Sequence, residues 1–193
     1  MPAAQRREQI LAEASKVFGE RGYAGATTDQ VAQAAGISQP YVVRLFGTKE
    51  KLFLEVIERA QNKLAARFRG VIAETSADDG QAGLARRLGF AYVDLIEDRG
   101  ILLALMQAFI TGHDPAIGPR ARAGFLATYH ILRDEAGFSP DEVREFLAAG
   151  MLFNTLLALR LPDVFDDDEA ARELMECTFS TKLDLVLGVS GSP

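Results

Sequence analysis

Residues 27–46 read TTDQVAQAAGISQPYVVRLF, a pattern typical of two short helices joined by a tight turn. Thr27 with Gln30 three positions later fits a capping box, which predicts that the first helix begins there. Gly36 tolerates the left-handed backbone that commonly ends a helix, so the turn is predicted at this residue. Ser38 is a favoured N-cap residue and predicts the start of the second helix.

The two predicted helices can cross closely because Ala32 is small at the crossing point. The second helix carries an apolar stripe that would pack on the first helix, and its other side chains would face outward. The apolar stripe consists of Ile37, Val42 and Leu45, and the outward set of Gln39, Pro40, Tyr41, Val43 and Arg44. An α-helix fits the major groove of DNA, where residues near its N-terminal end reach the base edges. The segment is therefore predicted to be a helix-turn-helix, with a helical hairpin inside an ordinary α-bundle as the alternative on apolar spacing alone.

The rest of the chain also has the periodicity of helices, and no alternating strand pattern bounded by hairpin turns is present. The predicted fold is all-α with about nine helices. An N-terminal amphipathic helix ends at Gly22, and a long fourth helix extends from Lys49 to about Glu74, followed by a polar break over residues 75–80. Further helices are predicted at 81–98, 101–112, 118–136, 140–160 and 167–187, before a frayed tail at 188–193.

Charge is distributed unevenly along the chain, whose formal net charge is −6. Residues 1–70 hold 11 Lys and Arg against 7 Asp and Glu, a net +4, whereas residues 71–193 hold 10 against 20, a net −10. This asymmetry suggests one end that faces DNA and one that avoids it. No apolar run approaches the roughly 20 residues of a membrane span. The single Cys177 excludes an intramolecular disulfide framework, so a cytoplasmic protein is predicted.

Two motifs carry a resemblance to a known family. Thr27-Thr-x-x-Val-Ala-x-x-Ala-Gly-Ile-Ser38 and Phe46-Gly-Thr-Lys-Glu-x-Leu52 resemble the signature of the tetracycline-repressor (TetR) family of transcriptional regulators. The motifs cover about a quarter of the chain. The resemblance implies a DNA-binding domain at residues 1–49 and a helical ligand-binding and dimerisation domain at residues 50–193.

The resemblance also implies roles for individual residues. Gln39 would read a base edge, and Pro40 would touch a thymine methyl. Thr28 and Lys49 match positions that contact phosphate in the family. Tyr41 stands where many members carry a small Thr or Ser, so its contact with DNA is left open, with phosphate as one candidate. Val43 and Leu45 depart from the family, which usually carries Tyr at the first position and His or Tyr at the second. Arg44 would compensate with a charged contact. Because the chain departs from the family at Val43 and Leu45, its operator sequence cannot be inferred from those of relatives.

The family plan implies a small-molecule pocket and a dimer interface in the C-terminal two thirds. The pocket is expected to take a largely apolar ligand, although each candidate residue taken alone is more typical of a plain core than of a pocket lining. The candidate pocket residues are Phe68, Phe90, Leu103, Met106, Phe109, Phe125, Tyr129 and Phe153. The candidate dimer residues are Phe146, Gly150, Met151, Leu174, Met175 and Phe179, which could instead pack within one subunit.

These patterns favour a ligand-responsive transcription factor of the homodimeric type, a repressor released from a palindromic operator by an apolar small molecule. The alternative is a helical-bundle enzyme or small-molecule carrier. No nucleophile elbow, phosphate-binding Gly-rich loop or paired metal motif supports an enzyme. His113 and His130 stand alone in the sequence, so neither a metal nor a cofactor is expected.

Overall fold

The computed structural model describes residues 3–75, 80–98 and 100–190, and within these ranges the chain is helical with no strand. The helices are α1 (Ala3–Gly25), α2 (Thr28–Ala34), α3 (Gln39–Phe46), α4 (Lys49–Glu74), α5 (Gly80–Val93), α6 (Ile101–Ile110), α7 (Ile117–His130), α8 (Pro140–Ala158), α9 (Glu169–Phe179) and α10 (Leu183–Ser190). The all-α prediction is confirmed.

The predicted helix ends differ from the observed ones at several places. The helix predicted at 81–98 ends at Val93 and is followed by a 3₁₀ turn over Asp94–Glu97. α1 changes direction at Gly22, where φ is +70°, and then continues to Gly25. α7 is followed by a π-helical turn over Ile131–Glu135. The single helix predicted at 167–187 is broken at Ser180, whose φ of +47° separates α9 from α10. The predicted break at 76–79 and the end of the predicted frayed tail, 191–193, lie outside the described residues.

The chain divides into two compact units. Unit 1 comprises Met1–Lys63 and Asp98–Ala127, and unit 2 comprises Leu64–Glu97 and Thr128–Pro193. The three N-terminal helices therefore share a unit with α6 and most of α7. The domain boundary after residue 49 stays a prediction.

The core of unit 1 is built from α1, α2, α3, the first half of α4 and α6. Phe18 and Phe53 are fully buried with their ring centroids 4.7 Å apart. Ile10, Val31 and Val42 are also fully buried. Burial of each such side chain contributes about 1.5–3 kcal/mol, so α2 and α3 are held by the apolar stripe that the sequence predicts.

A charged cluster lies inside unit 1. The Arg59 guanidinium donates hydrogen bonds to Asp98 Oδ2 at 2.6 Å and Glu8 Oε1 at 2.8 Å, and the side chain of Arg59 is only 6% exposed. Lys63 Nζ donates to the same Asp98 carboxylate at 2.5 Å. Burial alone would raise the pKa of Asp98, but the hydrogen bonds from Arg59 and Lys63 lower that pKa overall. Asp98 is therefore ionised at neutral pH and ties α4 to the segment that precedes α6.

α1 and α6 approach each other closely at two glycines. A Cβ on Gly19 would lie 3.0 Å from Leu103 Cβ, and a Cβ on Gly100 would lie 2.5 Å from the carbonyl oxygen of Ser15. Gly100 also has a φ of +83° and is the N-cap of α6. The contact between the two helices therefore requires glycine at residue 100 both for backbone conformation and for space.

Unit 2 is organised around aromatic side chains. Phe68 is fully buried and makes an edge-on contact with Phe146, with ring centroids 5.7 Å apart. Phe153 makes similar contacts with Tyr92 at 5.8 Å and with Phe179 at 5.1 Å. These edge-on contacts are the favoured geometry of aromatic pairs and add about 0.5–1.5 kcal/mol each beyond area burial.

Candidate nucleic-acid interface

The turn between α2 and α3 has the predicted geometry. The Gln30 backbone N–H donates to Thr27 Oγ1 at 3.2 Å, and the Thr27 N–H donates to Gln30 Oε1 at 3.0 Å, which completes the capping box. Gly36 adopts a φ of +64°. The N–H of Ile37 then donates to the Ala32 carbonyl at 3.0 Å and closes the turn. Local sequence signals alone therefore position the start of α3.

α3 presents part of its surface to solvent. Ala32 and Val42 are buried at the helix crossing, whereas Ile37 and Leu45 are half-buried. Pro40, Val43 and Arg44 are exposed, and Gln39 and Tyr41 are half-buried. Ser38 occupies the N-cap position as predicted, but its hydroxyl makes no capping hydrogen bond.

Gln39 is oriented by a side chain from α2. Its Nε2 donates to Thr28 Oγ1 at 3.2 Å. The pairing leaves Gln39 Oε1 and the second N–H of its amide for other partners, which are the groups that a bidentate contact with adenine requires. The sequence indicates Gln39 and Thr28 as separate DNA contacts, and the structure shows that their side chains are hydrogen-bonded to each other.

Two cations lie at the C-terminal end of α3. Lys49, at the start of α4, donates to the Tyr23 carbonyl oxygen at 3.0 Å and lies 4.8 Å from the Tyr23 ring centroid. The Arg44 guanidinium lies 5.0 Å from the ring centroid of Tyr41. Arg44 and Tyr41 therefore form one surface rather than two independent contacts.

Ion pairing divides the cations of unit 1 into two sets. Arg7, Lys16 and Arg59 each pair with a carboxylate within 2.8 Å. By contrast, a second set of cations forms no ion pair with any acid among residues 3–75, 80–98 and 100–190: Arg6, Arg21, Arg44, Lys49 and Lys51. Unpaired positive charge is what a phosphate backbone attracts.

Arg6 is a site residue that the sequence reasoning missed. An open depression on unit 1 is lined by Ala3, Arg6, Ile37, Ser38 and Tyr41, so the first turn of α1 lies beside the start of α3. Among the residues that the structure describes, the Arg6 guanidinium donates only to Gln9 Oε1, at 3.0 Å. The basic N-terminal segment was visible in the charge count, but no local signal placed it against α3.

The candidate pocket residues are divided between the two units. Leu103, Met106, Phe109 and Phe125 belong to unit 1, where Phe109 and Phe125 make an edge-on contact at 5.6 Å. Phe68, Phe90, Tyr129 and Phe153 belong to unit 2. Within unit 2, only Phe153 of this set is among the described residues that line the cavity between α5, α8 and α9. The predicted pocket membership of the other residues stays a prediction.

The candidate dimer residues occupy different environments. Met175 and Phe179 are buried within the chain, at 0% and 2% exposure, and Phe146, Gly150 and Phe179 line the cavity of unit 2. Met151 is half-buried, and Leu174 is 41% exposed. Met175 and Phe179 are therefore core residues of the single chain, and the predicted interface of α8 and α9 stays a prediction.

Comparison with known proteins places this site in a family context. Residues 10–56 match the family described as "Bacterial regulatory proteins, tetR family". The chain is 28% identical over 158 residues to the HTH-type transcriptional activator FasR of Mycolicibacterium smegmatis, covering 79% of this chain and 69% of FasR. It is 34% identical over 85 residues to the HTH-type transcriptional repressor AcnR of Corynebacterium jeikeium, covering 44% of this chain and 41% of AcnR.

Solved structures share the fold over nearly the whole chain. A tetR-family transcriptional regulator from Streptomyces coelicolor superposes with a TM-score of 0.57 at 20% identity, covering 98% of this chain and 90% of that one. The TetR-family regulator PfmR from Thermus thermophilus gives a TM-score of 0.51 at 21% identity, covering 95% and 88%. At these identities the likeness concerns the fold alone.

Proposed function

We propose that this chain is a sequence-specific DNA-binding transcriptional regulator of the tetR family, because its residues 10–56 match that family of bacterial regulatory proteins. The observation that carries the proposal is the exposed surface of α3 beside cations that have no acidic partner among the described residues. A helix of this kind, with base-reading side chains near its N-terminus and phosphate-binding cations around it, suits the major groove.

Two classes of contact are proposed within this interface. Gln39, held by Thr28, reads an adenine through its free amide groups, and the Pro40 ring packs on a thymine methyl. Arg44, Lys49 and Arg6 bind phosphates, which fix the register of α3 but carry no sequence information themselves. Thr28 thereby positions Gln39 in addition to any phosphate contact of its own.

The test of the function is a selection from random DNA duplexes with the full chain. We expect a short palindromic motif whose half-site centres lie about 34–36 Å apart or a multiple of that spacing, because each subunit presents one α3. Recovery of no symmetric motif, with only salt-sensitive binding that ignores sequence, would overturn the proposal.

Substitutions should separate residues that read bases from residues that bind phosphate. Gln39→Ala is expected to relax base preference within each half-site at a cost of about 1–3 kcal/mol. Arg6→Ala is expected to weaken all sequences alike and to reduce the slope of log K against log salt by about 1 for each phosphate that Arg6 binds.

Arg69→Ala is the matched control for the removal of one positive charge. Arg69 is exposed on α4 in unit 2, where it pairs with Glu135 at 2.7 Å. Operator titrations at several salt concentrations should show no change for this variant. Equal effects of Arg6→Ala and Arg69→Ala would reduce the role of Arg6 to general electrostatics.

A homodimer is proposed as the DNA-binding form, with α8 and α9 as its interface. α8 exposes small and apolar side chains at a spacing of four, three and four residues: Ala148, Leu152, Thr155 and Leu159. α9 exposes a similar stripe: Ala170, Leu174 and Cys177. This spacing is the one by which helices pack side by side, and Leu152, Leu159 and Leu174 are 41%, 66% and 41% exposed in the single chain. The stripes replace the buried Met175 and Phe179 as the surface for a second copy.

Regulation by a small molecule completes the proposed function. The relatives named above include an activator, FasR, and a repressor, AcnR, so HTH-type control of transcription is what their names have in common. The repressor assignment made from the sequence stays a prediction.

None of the described helices is long and apolar enough to span a membrane.

A further inference from the structure

Unit 2 contains a cavity of about 190 Å³ between α5, α8 and α9. Aromatic rings form much of its wall, contributed by Tyr92, Phe146, Phe153 and Phe179. This volume slightly exceeds the ~150 Å³ of an engineered apolar cavity that takes up benzene. The cavity therefore has room for one ring or a short chain.

Two glycines keep this space open. Gly89 on α5 and Gly150 on α8 both line the cavity, inside helices where glycine costs about 1 kcal/mol relative to alanine. Neither glycine has a positive φ. A Cβ on Gly89 would meet no atom within 4 Å, and a Cβ on Gly150 would approach Tyr92 Cε1 only to 3.6 Å. Neither backbone conformation nor close packing therefore requires glycine at these positions.

The cavity wall is uncharged, and its Tyr92 forms a polar pair with the buried Asn154. No charged side chain is among the described residues that line the cavity. The Tyr92 hydroxyl lies 3.0 Å from Asn154 Oδ1 and 2.8 Å from Asn154 Nδ2, and Asn154 is 1% exposed. Burial raises the pKa of Tyr92 to about 12, although the Asn154 hydrogen bond acts to lower that pKa, so the phenol stays uncharged at physiological pH.

We propose that this cavity is a binding site for a compact, uncharged, single-ring aromatic compound, and that this compound is the effector. The inference rests on the proposed function, since an effector requires a regulator. A ring fits the volume and can make edge-on contacts with the four aromatic side chains. A carboxylate or ammonium group would be desolvated without a counter-charge, which excludes ionised ligands.

The site differs from the pocket that the sequence suggested. That set included Leu103, Met106, Phe109 and Phe125, all of which belong to unit 1. The cavity lies wholly within unit 2, and two of its rings, Phe146 and Phe179, had been expected at the dimer interface. α8 and α9 thus line the cavity on one side and carry the exposed apolar stripes on another.

Binding is tested on the full chain without DNA, by thermal shift and calorimetry. The probes are toluene, phenol, benzoate and 1-hexanol. We expect toluene and phenol to raise Tm by about 3–6 °C at ten times their Kd. Benzoate should leave Tm unchanged, and 1-hexanol should raise Tm less than toluene does, because a flexible chain makes no edge-on ring contacts. A shift with 1-hexanol but not with the ring compounds, or no shift with any probe, would overturn the proposal.

Variants locate the site. Gly89→Leu should fill the cavity and abolish the shift, while its matched control Gly70→Leu should retain it. Gly70 is also a helical glycine without atoms within 4 Å of its Cβ position, but it is exposed on α4. Gly89→Ala is a milder second variant and should weaken toluene binding about tenfold or more. Unchanged toluene affinity in both Gly89 variants would place the ligand elsewhere and overturn the assignment.

Operator titrations with and without toluene then distinguish the two proposals. Toluene binding that changes operator affinity supports both. Operator binding by a protein that binds no ring compound would overturn only the cavity assignment. Ring binding by a protein that selects no DNA motif would overturn the regulatory function, and with it the role of the ligand as an effector.

Discussion

Leu152→Glu is expected to convert the dimer into monomers and to lower operator affinity by about 10²–10⁴-fold. Leu152 lies in the middle of the exposed stripe on α8 and is 41% exposed in the single chain. A glutamate there would be desolvated on dimer formation without a counter-charge, which costs several kcal/mol. Once subunits separate, each half-site is bound independently, and the gain of about 10²–10⁴-fold from linked binding disappears.

The measurement pairs light scattering with operator titration. Because Leu152 is exposed, the substitution should leave the fold of the subunit intact, as surface changes usually shift stability by no more than about 0.5 kcal/mol. Leu126→Glu is the matched control, since Leu126 is 54% exposed in the middle of α7. It should leave both the dimer and operator affinity unchanged. A wild-type monomer, or a Leu152→Glu dimer with full affinity, would remove α8 from the interface.

Gly100→Ala is expected to lower the free energy of unfolding by about 2–5 kcal/mol. An alanine at a φ of +83° is strained by about 1–2 kcal/mol. Its Cβ would also lie 2.5 Å from the Ser15 carbonyl oxygen and 2.6 Å from Lys16 Cα. These are backbone atoms of α1 that cannot rotate away, so α6 must move, and overpacking of this kind adds about 1–3 kcal/mol. The sum is a large part of the total stability of about 5–15 kcal/mol that is typical of proteins.

Gly36→Ala separates the two contributions. Gly36 has a φ of +64°, but a Cβ there would meet no atom within 4 Å. This variant should be destabilised by only about 1–2 kcal/mol, from backbone strain alone. Urea denaturation of both variants gives the comparison. Equal destabilisation of the two would show that the close approach of α1 and α6 carries no cost.

The helix-turn-helix could be predicted from the sequence because the signals that specify it are local. The capping box of Thr27 and Gln30 spans three residues, and the left-handed turn at Gly36 depends on one. Helix ends were less predictable, as at Ser180, a non-glycine residue with positive φ that carries no sequence signal for a break.

The sequence by itself therefore determined the all-α class, the position of α3 and the outward set of residues that would meet DNA. Only the tertiary structure decided that Arg6 lies beside Tyr41, that Gly100 approaches Ser15, and that Gly89 and Gly150 line one cavity. It also moved Met175 and Phe179 into the core. Helical periodicity specifies which face of a helix is buried, but not the helix against which that face packs. Contacts between residues distant in sequence depend on crossing angles and on the fit of side chains across the interface, and these are properties of the folded chain.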